Sequence, residues 1–296
     1  MATSGGDAQV DKRQVRLAFD RAAGSYDRAA VLQREVADRM LERLEYIRLA
    51  PGTILDAGCG TGYGGERLRE RYPQAAQVAL DLAPAMLRRA RRRTPWWRRA
   101  LGGGPRLVCA DLERLPLKPA CVDLVWSNLT LQWCNDLPAA FRGVHRALTV
   151  GGLFMFTTFG PDTLKELRAA FGRADGYTHV NRFVDMHDIG DLLVAAGFAD
   201  PVMDMELITV TYPDFRQLLG EIRAIGAHNV TRGRRRGLMG KQAWHAARAH
   251  YEALRRDGVL PATFEVVYGH AWKAAPRRAD DGRAIVQFDR SGLRRG

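Results

Sequence analysis

Four short apolar runs between residues 53 and 128 each end in an acid or a small polar residue, with helical patterns between them. Ile54-Leu55 leads into Asp56, residues 77–80 into Asp81, residues 106–110 into Asp111 and Leu112, and residues 122–126 into Ser127 and Asn128. Apolar runs of this length bounded by turn residues predict buried strands, and strands alternating with helices predict a parallel sheet covered on both faces. A fifth strand, 152–158, follows a predicted helix over 138–148 and a Gly151-Gly152 turn. Ahead of the first strand, Val15, Phe19, Ala22 and Ala23, then Val31, Val36, Met40, Leu41 and Leu44, recur at helical spacing until Pro51-Gly52.

Past the fifth strand the pattern loosens. Helices over 163–171 and 186–196, the second stopped by Gly197, lead to a strand at 202–212. A helical stretch of about 213–256 then precedes a last strand at 264–272. The two late strands alternate apolar and polar positions, which predicts antiparallel partners at a sheet edge. The expected architecture is an α/β sheet of seven strands, mostly parallel. Residues 1–50 are expected to be helices closing the site, 51–273 the main domain with 213–256 as a helical lid, and the charged tail 274–296 disordered.

The run from Asp56 to Gly62 carries the clearest chemistry. Glycines at 58, 60 and 62 allow a ligand to approach the backbone where a Cβ would stand in the way. A nicotinamide-binding turn is spaced G-x-G-x-x-G and sets a pyrophosphate on a helix N-terminus. Here the glycines fall at alternate positions behind an acid, which suits a ligand carrying an ammonium. The arrangement resembles the first motif of class I S-adenosylmethionine-dependent methyltransferases. Asp81, about twenty residues on, stands where such folds place an acceptor for a ribose diol, although an Asp at a strand end also serves as a helix cap. Leu82 and Met86 can flank an adenine, and the methyltransferase pattern turns Asp111, beside Leu112, toward the adenine amino group. Ser127 and Asn128 are expected beside the cofactor.

Composition narrows the setting. Of 296 residues, 46% are hydrophobic, enough for a sizeable core, and no run of 18 apolar residues suggests a membrane span. The start of the chain lacks the apolar segment of a secretory signal, and a cytoplasmic location is expected. Cys59, Cys109, Cys121 and Cys134 lack metal-site spacing, and three of them fall in or beside core strands, so buried free thiols are expected and no metal. The net charge of +12 (45 Lys+Arg, 33 Asp+Glu) concentrates in Arg88–Arg93 and in the run from Arg232 to Arg236. Such a balance implies an acidic partner or a solvated arginine-rich surface.

With these segments in place, the chain resembles the malonyl-acyl-carrier-protein O-methyltransferases of biotin synthesis from about Val15 to Lys273. The likeness rests on Phe19-Asp20-Arg21-Ala22-Ala23 with Tyr26, the Asp56-to-Gly62 loop, Trp126-Ser127-Asn128-Leu129 with Gln132-Trp133-Cys134, Asn181-Arg182-Phe183, and Ile225-Gly226-Ala227-His228. It departs mainly in an arginine-rich insertion at 88–105 and in the tail. The resemblance implies a Rossmann-like class I fold, S-adenosylmethionine as co-substrate, and a malonyl carboxylate on acyl carrier protein as methyl acceptor. Tyr26 then closes over the methionine end, Gln132, Trp133, Arg182 and His228 lie on the substrate side, and Arg232, Arg234, Arg235 and Arg236 can dock the acidic carrier. A methyltransferase of the same class acting on a free small acid or quinone precursor stays open, as does a non-catalytic or RNA-binding relative. Against RNA, the arginine runs lack interleaved aromatics apart from Trp96-Trp97.

Overall fold

The structure is a computed structural model and describes residues 9–100, 103–173, 180–224, 231, 237 and 239–275. Among these residues seven strands form: β1 (Thr53–Ala57), β2 (Ala76–Asp81), β3 (Arg106–Cys109), β4 (Val122–Ser127), β5 (Leu148–Phe159), β6 (Ala199–Tyr212) and β7 (Leu260–Trp272). Their order in the sheet is β3-β2-β1-β4-β5-β7-β6. Strands β1 to β5 are parallel, and β7 lies between β5 and β6, antiparallel to both. The predicted antiparallel pair is present, with β6 rather than β7 on the edge.

This order creates the site. From β1 the chain builds outward to β3, then returns across β1 to begin β4, so the strand order reverses between β1 and β4. A crevice opens at the carboxyl ends of strands wherever an open parallel sheet reverses in this way.

The helices are α1 (Lys12–Ala22), α2 (Tyr26–Ala29), α3 (Val31–Leu44), α4 (Tyr63–Arg71), α5 (Pro84–Arg93), α6 (Trp96–Ala100), α7 (Leu137–Ala147), α8 (Lys165–Gly172), α9 (Met186–Ala195), α10 (Phe215–Ala224) and α11 (Lys241–Glu252). Alternation along the strands sends Ile54, Leu124, Trp126 and Met155 to one face, where Met40 of α3, Leu68 of α4, Leu167 of α8, Leu218 of α10 and Tyr251 of α11 cover them. Leu55, Val125, Phe154 and Phe156 take the other face against Phe141 and Val144 of α7 and Ile189 and Leu193 of α9. Each such side chain, fully buried, contributes roughly 1.5–3 kcal/mol. The same alternation puts Asp56 on the Ile54 face, beneath α3 and α4, and there it is buried.

The N-terminal helices are tied down by polar contacts. Asp20 of α1 accepts the N–H of Ala85 at 2.8 Å, and Asn135 exchanges two hydrogen bonds with the backbone of Val10, at 2.8 and 3.0 Å. The arginine run on α5 divides between two uses. Arg89 donates to Gly24 O, while Arg93 reaches Thr61 O, Asp27 and Glu66, at 2.8, 3.1 and 2.9 Å. Arg88, Arg91 and Arg92 are exposed.

Two expectations need correction. All four cysteines are free, but only Cys59 is buried; Cys109 is exposed because β3 is an edge strand, and Cys121 and Cys134 are intermediate. The helical stretch at 213–256 is also divided, into α10 and α11, with 225–230 outside the described residues. The tail beyond residue 275 lies outside them too.

The turn after β1 is held from below. The N–H groups of Gly58 and Cys59 both donate to Leu80 O, at 2.8 and 2.9 Å. Gly58 has φ +83°, and a Cβ there would stand 2.0 Å from Thr130 Oγ1; Gly60 has φ +53° and open space within 4 Å. The two positions should therefore respond differently to the same substitution. Gly60→Ala is expected to cost about 1–2 kcal/mol of unfolding free energy, the left-handed penalty alone. Gly58→Ala, which adds a steric collision, should cost about 3 kcal/mol or more. Urea denaturation of both variants checks the order, and equal losses would refute it.

Candidate active site

Two adjoining cavities fill the crevice and share Tyr26, Gly58, Gly60 and Asn128. The larger, about 630 Å³ and open to solvent, is walled by Val15 and Phe19 of α1, by Leu82, Met86 and Leu112, and by Trp133, with Asp81 and Asp111 among its few polar groups. The smaller, about 480 Å³, is polar and lined by Asp27, Gln33, Arg34, Asp56, Thr61 and Tyr63. An apolar slot with carboxylates for hydroxyl and amino groups suits a nucleoside. A polar recess with both acceptors and a guanidinium suits an amino-acid zwitterion.

The acceptors in the polar recess are conspicuous for what they lack. Asp56 Oδ2 and Gln33 Oε1 are both buried without a hydrogen-bond partner among the described residues. A buried acceptor left unsatisfied costs on the order of 1–3 kcal/mol, more when charged, so both atoms favour a donor or cation. Burial, with the Asp81 charge nearby, pushes the Asp56 carboxyl up to about 7 against the pull of the Gly65 N–H. Asp81 is pushed up to about 6 by burial, held back by the N–H groups of Ala83 and Gly60. Its Oδ2 accepts from Gly60 and its Oδ1 from Ala83, each at 2.8 Å. Asp81 thus lines the cleft and braces the start of α5 at once.

At the junction of the cavities, Asn128 is locked by Nδ2 donating to Gln33 O at 2.9 Å and by Oδ1 accepting from Thr157 at 2.7 Å. Burial, with Asp81 and Asp27 nearby, raises the Tyr26 phenol, so it stays protonated. Arg34 donates to Asp27 O, fixing the guanidinium at the rim of the recess.

Residues 55–156 match the methyltransferase domain family. The chain is 60% identical over 279 residues to a malonyl-acyl-carrier-protein O-methyltransferase from Gallionella capsiferriformans, covering 94% of this chain and 96% of that one. A protein of the same description from Laribacter hongkongensis is 60% identical over 285 residues, covering 94% and 96%. The chain belongs to the malonyl-acyl-carrier-protein O-methyltransferase family. Solved structures share the fold at low identity. YcgJ from Bacillus subtilis superposes with a TM-score of 0.57 at 15% identity, over 81% of this chain and 99% of that one. Phosphoethanolamine N-methyltransferase 2 from Haemonchus contortus, solved with S-adenosyl-L-methionine, gives 0.52 at 16% identity, over 86% and 57%.

Of the residues anticipated for this family's cofactor, Tyr26, Asp56, Gly58, Gly60, Asp81, Leu82, Met86, Asp111, Leu112 and Asn128 line the two cavities. Ser127 does not. Its hydroxyl is buried and donates to Ala57 O at 2.9 Å, tying β4 to β1 beneath the loop. Gly62 is likewise structural, capping α4 at φ +88° where a Cβ would press on Ala90 at 3.0 Å.

The substrate-side residues part company. Trp133 faces the nucleoside cavity and packs edge-on against Phe19, with centroids 5.4 Å apart, because Leu131–Trp133 is a short 3-10 turn directed at α1. Gln132 lines neither cavity; it donates to Leu129 O at 2.6 Å and accepts from Thr158 at 3.3 Å. Arg182 is exposed in the connector before α9 and also lines neither. His228, Arg232, Arg234, Arg235 and Arg236 lie outside the described residues. Gln33, Arg34 and Lys12 were missed, since on the sequence they are polar positions of amphipathic helices with no motif to single them out. Among the described residues no group of three or more His, Cys, Asp or Glu could hold a metal ion, and no helix is long and apolar enough to cross a membrane.

The raised carboxyls fix a sign for the pH dependence of the ligand-free protein. Both groups bind protons more tightly when folded than at the ordinary carboxylate value of about 4, so their contribution to stability falls as pH rises from about 4 to about 7 and is level above that. Asp56→Asn should flatten the fall around pH 6 by up to about 1.4 kcal/mol per pH unit. Thermal unfolding from pH 5 to 8 measures the slope, and an Asp56→Asn slope equal to that of the parent would contradict a buried, proton-binding Asp56.

Proposed function

We propose that this protein transfers a methyl group from S-adenosylmethionine to the free carboxylate of malonyl-acyl carrier protein, forming the methyl ester that primes pimeloyl synthesis for biotin, in the cytoplasm. The observation that carries the cofactor half is the crevice itself, an apolar nucleoside slot joined at Tyr26 and Asn128 to a polar recess with two unpartnered buried acceptors. The acceptor half follows from the relatives, whose description names malonyl-acyl-carrier protein, at 60% identity over nearly the whole chain.

When bound, S-adenosylmethionine supplies a methyl group on a sulfonium, which a carboxylate oxygen takes as the thioether leaves. The protein's part is to bind and align. Asp81 receives the ribose hydroxyls, Leu82, Met86 and Leu112 flank the adenine, and Asp111 meets its amino group. Asp56 and Gln33 accept from the ammonium while Arg34 meets the carboxylate. The bare backbone of Gly58 and Gly60 forms the floor.

Because the methyl-bearing sulfur joins nucleoside to amino acid, the reacting centre belongs at the junction, under Tyr26 and beside Asn128. Tyr26, protonated, can donate a hydrogen bond there and exclude water. No general base or metal is required, since a malonyl carboxylate is already ionised at neutral pH and needs only alignment in line with the transferring methyl. Arg182 and His228 are the residues assigned to that alignment, and the segment 213–256 to the lid.

Malonyl-acyl carrier protein incubated with enzyme and S-adenosylmethionine is expected to gain the mass of one CH2 group, lost again on mild ester hydrolysis. Methylation of free malonate instead of the carrier-bound form would favour a small-acid enzyme. Arg232, Arg234, Arg235 and Arg236 are assigned to carrier docking by opposite charge. Reversing all four should lower kcat/KM on malonyl-carrier protein by about tenfold at low salt while sparing a malonyl thioester of a small thiol. Equal effects on both substrates would remove the docking role.

A further inference from the structure

An ion-pair bridge crosses the nucleoside cavity. Lys12, the first residue of α1, places Nζ 2.9 Å from Asp111 Oδ1 and 2.7 Å from Glu113 Oε1. The three side chains are mostly buried, at 24%, 24% and 18% exposure. Lys12 and Asp111 are 99 residues apart in sequence, and both line the cavity, so the bridge joins walls built by separate parts of the chain. Glu113 Oε1 also accepts the N–H of Asn135 at 2.5 Å, and Asn135 is the residue that holds Val10 just ahead of α1. On Asp111, the Lys12 ammonium and the Glu113 N–H both fall on Oδ1, at 2.9 and 3.1 Å. Among the described residues no hydrogen bond falls on Oδ2.

We propose that Lys12 is a positioning residue that latches α1 over the nucleoside cavity and turns Asp111 so that Oδ2 is the oxygen presented to the ligand's amino group. One cation here serves two carboxylates, and its loss leaves Asp111 and Glu113 as adjacent like charges that push the wall apart. Burial alone would pull the Lys12 ammonium down, but the Glu113 and Asp111 carboxylates beside it favour the charged form, and the group lies above its ordinary value, so the latch stays charged. The amino-group half of this proposal rests on the S-adenosylmethionine reading; the latch half does not.

The test compares Lys12→Met and Lys12→Arg with the parent, first without ligand. Hydrogen exchange followed by mass spectrometry over residues 12–22 should be about tenfold faster in Lys12→Met and within about twofold of the parent in Lys12→Arg. Titration calorimetry with S-adenosylhomocysteine should show affinity about tenfold weaker in Lys12→Met. Asp111→Asn should then cost less in the Lys12→Met background than in the parent. Unchanged exchange in Lys12→Met overturns the latch, as does failure of Lys12→Arg to restore protection, which also covers a Lys12→Met chain that does not fold. Faster exchange with unchanged affinity overturns the positioning of Asp111. A parent protein that binds no S-adenosylhomocysteine removes the cofactor reading, while the ligand-free exchange still decides the latch.

Discussion

Two carboxylates, the buried Asp56 and the half-buried Asp81, stand at the ends of neighbouring parallel strands, and much of the surrounding structure answers the cost of keeping them there. Alternation along β1 turns Asp56 under α3 and α4, where it is buried at the back of the polar recess. The N–H groups of Gly60 and Ala83 close on Asp81, and that of Gly65 on Asp56, but no cation of the protein pairs with Asp56 among the described residues. The local electrostatics therefore favour a proton or a positive group beside Asp56. The raised carboxyls and the unpartnered Oδ2 are two expressions of that single imbalance.

Charge elsewhere is arranged to hold the roof on this crevice. Arg93 joins α5 to Asp27, Glu66 and the glycine loop, and Lys12 joins α1 to the end of β3. Arg39 and Arg43 of α3 meet Glu206 and Asp204 on β6 in the same way, so part of the basic surplus is spent on joining elements. Exposed pairs of this kind contribute little singly. Here several join helices that already pack their apolar faces, and orientation rather than bulk stability is what they supply.

The parallel core was legible in the sequence because each strand ended in a residue of a kind that only a ligand or a turn explains. The acids at 56, 81 and 111 stood out for that reason, and the cavities gather all three. Ser127 is expected beside the cofactor from position alone, but its hydroxyl donates to Ala57 O. Adjacent residues on a strand face opposite ways, so Ser127 supports the loop whereas Asn128, one residue past the strand, faces the cavities. Trp133 depended on a tertiary contact with Phe19 that no local pattern announces. Gln33 and Arg34 sit on a helix whose periodicity reports only its buried stripe, leaving the polar face unread.

The position of β7 has a consequence for how the protein is made. Among the described residues strand β6 pairs only with β7, and β7 must slot between β5 and β6, matching Leu153 with Trp272 and Tyr212 with Leu260. During synthesis from the N-terminus, the five parallel strands can assemble as they emerge, while β6 waits with both edges bare until the last strand leaves the ribosome. Val202, Met205 and Leu207 on β6 stay exposed even in the folded protein, and during that interval they adjoin two bare strand edges open to pairing with a neighbour.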